Sequence, residues 1–270
     1  MSGYNQTKNN KNTYNNQSLE VVITCVDYGD FLDQTLPFTL SHVDRVVVVT
    51  SFDDELTKKV CQKWSVECVP TDAFTEKGEI FNKGSAINVG LSMLRQNGWI
   101  LHMDADIVLP LTTRNMLSKS ALNTNSIYGC NRLNVVGWDE WQKLKSSWHD
   151  VPQFEHSCIV NTPPHYSLGG TLVHKHYGYM PIGFFQLWHS SYMNKHLLRY
   201  PDVNASAEKD DVQWAMRWTR KNRVLLPTIR VFHLESEESK MGSNWRGRKT
   251  KPFTASGKMP EITDSLSYGY

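Results

Sequence analysis

The sequence predicts an α/β fold with a mostly parallel central sheet. Three observations carry this. Strand-like and helix-like segments alternate four times between residues 19 and 110, one strand holds four consecutive valines (Val46 to Val49), and aspartates recur where the strands end. An all-apolar strand suits burial on both faces, as a parallel sheet requires. Alternating β and α units supply the helices that cover such a sheet. Ligands of open parallel sheets bind outside the carboxyl ends of the strands, so the aspartates locate a site as well as a fold.

Residues 1–18 are dominated by Asn, Gln, Ser and Thr. They cannot bury enough apolar surface to order, so a disordered tail is expected. LEVVITCV (19–26) reads as the first strand and ends at Asp27; YGDFLDQTLPFTLSHV (28–43) reads as a short helix and DRVVVVTS (44–51) as the second strand. DDELTKKVCQKW (53–64) sets Leu56, Val60 and Trp64 on one helical face, and VECVPT (66–71) is the third strand. A helix is expected over GSAINVGLSMLRQNG (84–98), with Ser85 as its N-cap and Gly98 as its stop. WILHMDADIVL (99–109) is the fourth strand.

The back half is less regular. SIYGCNRLNVVGWDEWQKLKSSWHDV (126–151) carries three tryptophans, NTPPHYSLGG (161–170) is a turn-rich loop, and GYMPIGFFQLWHSSYM (178–193) reads as a strand with an aromatic face. DDVQWAMRWTRKN (210–222) is a helix, RVLLPTIRVFHLE (223–235) is strand-like, and SKMGSNWRGRKTK (239–251) is a basic loop. Residues 259–270 read as a loose tail. The expected organisation is one domain over 19–258, with a regular front half (19–110) and a less regular back half (111–258).

Composition narrows the class. Hydrophobic residues make up 40% and charged residues 21%, as in an ordinary globular protein. Five cysteines, odd in number and without a CxxC pair, argue against a disulfide framework or a zinc knuckle and for a reducing cytosol, the host's if the chain is viral. No apolar run approaches a membrane span of about 18 residues, and no signal-peptide core opens the chain.

The chemistry is concentrated in GWILHMDADIVLP (98–110), where Asp104 and Asp106 interrupt an apolar run. Carboxylates at the end of a buried strand need a partner. Two hard oxygen ligands one residue apart suit Mg²⁺ or Mn²⁺ bridging a diphosphate.

With this feature and the motifs around it, the chain resembles the GT-A glycosyltransferases, of the family 2 or galactosyltransferase C-terminal-like kind, over roughly residues 20–250. In that family a D-x-D at the end of the fourth strand holds the divalent cation of a nucleotide-sugar. FNKGSAINVGL (81–91) is similar to the family's K-G/A-x-A-x-N-x-G helix beneath the donor, with Lys83, Gly84, Ala86, Asn88 and Gly90 matching and Ile87 standing where Arg is frequent. EKDDVQWAMRW (208–218) resembles the E-D-x-D helix start and sets Asp211 on the general base of inverting members, with Asp210 beside it and Gln213 in place of the later acid. Acids also cap the first turn of any helix. VFHLE (231–235) with NWRGR (244–248) is similar to the family's H-L…N-W-x-G-R pattern. That likeness implies His233 as a third metal ligand, and Lys240, Arg246 and Arg248 as a clamp on the diphosphate. GFFQLWHSS (183–191) resembles the strand beneath the acceptor, implying contacts from Gln186, Trp188 and His189.

The resemblance thus implies a nucleotide-sugar donor, with uridine diphosphate the expected carrier and its base near Asp27, Tyr28 and Asp53. Residues 217–258 hold eleven Lys/Arg against three acids, a net of +8 in a chain whose formal total is +2. Such asymmetry points to a polyanionic acceptor. DNA or RNA fits, including a hydroxymethylated base of bacteriophage DNA, as do a phosphorylated glycan and an anionic lipid surface. The rival classes are a noncatalytic binding module on the same scaffold and a nucleotidyltransferase, which also uses paired aspartates.

Overall fold

The computed structural model describes residues 17–78, 80–146, 167–169, 173–202, 207, 209–237 and 248–260. In chain order the first elements are β1 (Leu19–Thr24), α1 (Gly29–Leu40), β2 (Arg45–Thr50), α2 (Glu55–Lys63), β3 (Glu67–Pro70), α3 (Lys83–Met93) and β4 (Trp99–Asp104). They continue with β5 (Ile107–Val108), α4 (Thr113–Lys119), β6 (Ile127–Val136), α5 (Trp138–Ser146), β7 (Ser167–Gly169), β8 (Val173–His174) and β9 (Gly178–Tyr179). The last are β10 (Phe185–His189), α6 (Ser190–Lys195), α7 (Asp210–Ala215) and β11 (Arg223–Glu235).

The α/β class is as the sequence predicts. The described strands form one sheet in the order β3-β2-β1-β4-β10-β6-β11-β5, with β7 added alongside β6, and a separate β8-β9 pair. β3, β2, β1 and β4 run parallel, as does β6 with β11, whereas β10 runs antiparallel to both of its neighbours. The valine strand is buried on both faces. Val46 and Val48 pack with Leu32, Leu36 and Val60 on one side, while Val47 and Val49 pack with Ala86, Ile87 and Leu91 on the other.

Two helix boundaries depart from the sequence reading. α3 begins at Lys83 because the Asn82 side chain accepts from Ser85 N at 2.8 Å, so Ser85 receives the cap rather than supplying it. The helix stops at Met93, five residues before Gly98. Gly98 serves a close approach instead, since a Cβ there would lie 2.4 Å from Ser18 O. Ser18, expected in the tail, already accepts from Trp99 N at 2.8 Å.

The expected fourth strand is also two strands. It breaks at Ala105–Asp106, and β5 crosses to pair with β11, where Ile107 faces His233 and Leu234 N bonds Asp106 O at 2.9 Å. Two residues therefore join strands that β10, β6 and β11 separate in the sheet, which forces the sheet to curl. β11 carries three extra residues between Leu226 and Arg230, where Pro227, which has no N–H to donate, sits.

Three tryptophans of the back half meet in one core cluster, while Trp141, Phe232 and Phe253 fill another. Trp188 and Trp214 are fully buried, with ring centroids 5.2 Å apart, and Trp218 closes the group. No helix among the described residues is long and apolar enough to cross a membrane.

His42, on the α1–β2 connection, is buried, and burial holds its pKa down at about 4. The unfolded chain takes up that proton near pH 6.5. This contribution is therefore complete above pH 6.5 and is lost as pH falls from 6.5 toward 4, by about 3 kcal/mol at the limit. Urea titrations at pH 7 and pH 4.5 should show a smaller pH difference for His42→Leu than for the wild type. Trp188→Ala is expected to lower unfolding stability by about 3–5 kcal/mol in the same assay.

Candidate active site

A cavity of about 480 Å³ opens at the carboxyl ends of β1 and β4 and reaches the ends of β6 and β11. Asp27, Tyr28, Ser51 and Asp53 line one side, Lys83, Asp104 and Asp106 its centre, and Arg132, His233 and Glu235 the other side. Strand geometry explains the grouping. Asp104 is the last residue of β4, Asp106 the turn after it, and His233 the residue that β5 pairs with.

Asp104 forms an ion pair with Lys83, the first residue of α3. Burial alone would raise the Asp104 pKa, but Lys83 outweighs it and holds the carboxyl at about 2. Burial would likewise lower the Lys83 pKa, and Asp104, helped by Asp211 and Asp106, keeps it above its ordinary value. His233 Nε2 lies 3.3 Å from Asp106 Oδ2, and its Nδ1 lies 3.3 Å from Glu235 Oε1. Against the downward pull of burial, these two carboxylates raise the imidazole to about 9.

Can these residues hold a divalent cation? Asp106 Oδ1 is buried without a hydrogen-bond partner, an oxygen left open in the cavity's lining. Among the described residues no three His, Cys, Asp or Glu side chains close into a ready-made metal site. A magnesium- or manganese-type ion takes one or two carboxylates and completes its shell with water and substrate phosphates. Asp104, Asp106 and His233 are the residues that would hold it, with the Lys83 ammonium now standing in as the cation at Asp104.

The acidic pair of α7 separates into two roles. Asp210 is buried, and its Oδ2 accepts from Gly84 N at 2.9 Å, capping the N-terminus of α3. Asp211 Oδ2 accepts from Gly183 N at 2.8 Å and its Oδ1 from Val212 N at 2.7 Å. A Cβ on Gly183 would lie 3.5 Å from Asp211 Oδ2 and 3.6 Å from Lys83 Nζ, so these groups meet at one point. Burial raises the Asp211 pKa, opposed by the Gly183 N–H and by Lys83.

Several residues expected to touch ligand are placed otherwise. Asn88 is occupied by backbone: it donates to Tyr200 O and accepts from Tyr200 N, each at 2.8 Å. Arg248 lines the cavity, but its guanidinium pairs bidentately with buried Asp30 at 2.6 and 2.7 Å and donates to the carbonyls of Asp27, Thr250 and Lys251. It pins residues 248–260 against α1 rather than facing a diphosphate. Trp188 is buried in the tryptophan cluster, and His189 pairs with Trp99, because β10 runs away from the site. Gln186 is buried beneath the site, donating to Pro181 O at 2.8 Å and Asp211 O at 2.9 Å and accepting from Tyr200 Oη at 2.6 Å. Lys240, Arg246 and the rest of NWRG (244–247) lie outside the described residues.

The basic stretch does not form one face among the described residues. Arg217, Arg220 and Lys221 are exposed before β11, Arg223 and Arg230 are buried within it, and Lys249, Lys251 and Lys258 are exposed beyond it. β11, which pairs along the ten residues of β6, holds the two exposed groups apart by about 30 Å of strand. Sequence reading missed Glu235 and Arg132. Glu235 was legible in principle, being two residues from His233 on one strand and so on the same face. Arg132 was not, since the β6–β11 pairing joins segments about a hundred residues apart.

No protein-family model matches the chain, and no curated protein matches it. Solved structures do resemble it in part. A mycobacterial protein aligns at 14% identity over 85% of this chain and 71% of its own, with a TM-score of 0.47. Glucosyl-3-phosphoglycerate synthase from Mycobacterium tuberculosis, in complex with Mn²⁺, uridine diphosphate and glucosyl-3-phosphoglycerate, aligns at 13% identity over 86% and 77%, with a TM-score of 0.45. Mannosyl-3-phosphoglycerate synthase from Rubrobacter xylanophilus aligns at 17% identity over 43% and 41%, with a TM-score of 0.35.

Arg248→Met leaves the Asp30 carboxylate, 0% exposed, with Phe253 N but no cation. Losing one partner of a buried pair costs about 3–5 kcal/mol. The expected result is a lowered melting temperature, with protease cleavage appearing first in residues 248–260.

Proposed function

We propose that the chain is a divalent-metal-dependent glycosyltransferase that moves a sugar from a nucleoside diphosphate, uridine diphosphate being the expected carrier, to an acceptor hydroxyl. The observation that carries this is the meeting of two carboxylates with different tasks. Asp104 is held ionised, whereas Asp211 is half-buried, raised in pKa and close to the same lysine. A metal ion between Asp104, Asp106 and His233 would supply positive charge for the diphosphate leaving group.

The chain's own residues do the rest. Asp27, Tyr28 and Asp53 form the wall for the nucleoside. Lys83 adds a fixed ammonium at the diphosphate, where charge grows as the glycosidic bond breaks. Asp211 takes the proton of the acceptor hydroxyl as its oxygen bonds the anomeric carbon. Gly183 N–H and Gln186, which binds the Asp211 carbonyl, hold that base in place. One displacement with Asp211 as base inverts the anomeric configuration. A base of this kind has no use in a pure binding module.

Calorimetry with uridine diphosphate, with and without Mn²⁺, is the primary test. Metal-dependent binding is expected, lost in Asp104→Asn and kept in Asp211→Asn. Sugar transfer, followed as nucleoside diphosphate release with hydroxymethylated DNA, glycan and lipid acceptors, should fall about 10²–10⁴-fold in Asp211→Asn. Metal-independent or absent binding, a retained anomeric configuration, or full activity of Asp211→Asn would refute the assignment.

A further inference from the structure

Arg132 is a cation the mechanism above leaves unused. It lies on β6, lines the cavity, and has no carboxylate partner or hydrogen bond among the described residues. Its guanidinium carbon sits 4.8 Å over the Phe184 ring, which fixes the group without neutralising it. Its Nε is buried and unbonded, and Ser236 Oγ, of another residue lining the cavity, is likewise buried without a partner. Buried polar atoms without partners are uncommon in folded proteins, and a guanidinium so placed in a cavity wall marks a place for a ligand.

Position assigns the ligand to the acceptor side. Phe184, beneath the guanidinium, follows Gly183, whose N–H holds the candidate base Asp211. The nucleoside wall of Asp27 and Asp53 belongs to the loops after β1 and β2, on the other side of Asp104 in the sheet order. Asp106, Glu235 and Glu237 also face the cavity, but the first two are engaged with His233 and Glu237 pairs with Lys251 at 2.9 Å. We propose that Arg132 is the anion contact of an acceptor subsite, and that the acceptor carries a phosphate or carboxylate group near the hydroxyl that receives the sugar. This rests on the transferase reading and narrows its substrate class, because a planar guanidinium binds either oxyanion through paired N–H groups.

The test titrates inorganic phosphate, and separately acetate, into the full chain saturated with uridine diphosphate and Mn²⁺, so that the donor's own phosphate site is filled. Binding of at least one anion is expected, weakened about tenfold or more in Arg132→Gln and partly restored in Arg132→Lys, with uridine diphosphate affinity changed less than about twofold. Phosphate binding alone marks a phosphorylated acceptor; acetate binding marks a carboxylate. Absence of both, or equal anion binding by wild type and Arg132→Gln, overturns the proposal. Parallel loss of uridine diphosphate also overturns it and moves Arg132 to the donor. If Arg132→Gln does not fold, Phe184→Leu, which removes the ring beneath the guanidinium, should weaken the anion while sparing uridine diphosphate. A wild type that binds no uridine diphosphate with Mn²⁺ would sink the transferase reading itself, and the acceptor subsite with it.

Discussion

The half-buried ammonium of Lys83 is what lets several carboxylates share one end of the sheet. Asp104 pairs with it directly, and Asp211 and Asp106 act on it through space. Without a cation there, three acids at the rim of an apolar core would repel each other and resist ionising. The placement of α3 follows from that requirement. Its first turn is tied by the Asn82 cap, by Asp210 at Gly84 N and by Asn82 Nδ2 to Asp202 O. Gly84 is needed because a Cβ there would strike Pro201 O at 1.5 Å. The same glycine-bearing helix start that aims Lys83 therefore also docks α7, and with it Asp211.

The neighbouring acids Asp210 and Asp211 show how adjacent identical side chains divide labour. One turns inward to the backbone of α3 and is consumed by structure. The other turns to the Gly183 and Val212 N–H groups, within reach of Lys83. Gln186 joins the two layers, since its amide reaches the Asp211 carbonyl while Tyr200 holds its oxygen. Strand β10 thus acts on the site from beneath, through the Asp211 backbone.

The front half of the fold was legible because its signals are local: valine runs, helical spacing and strand-end aspartates all lie within short windows. Asp104, Asp106, His233 and Lys83 were legible as a group only through the order of their motifs. What sequence could not decide was the direction in which each side chain spends its hydrogen bonds. Asn88 and Arg248 carry polar groups suited to a nucleotide, yet Tyr200 and Asp30 claim them. Trp188 and His189 were placed by strand polarity, since a β10 antiparallel to β4 sends them to the far end. Arg132 was invisible because its setting is made by strands distant in sequence.

The curl forced by Ala105–Asp106 has a mechanical consequence. Going from β4 across β10, β6 and β11 to β5, and back through two residues to β4, describes a hoop of five strands fastened by a dipeptide clasp. Asp104 closes β4 and Asp106 lies in the clasp itself, so the position of the two carboxylates is fixed from both sides, by the pairing of β4 with β10 and by the pairing of β5 with β11.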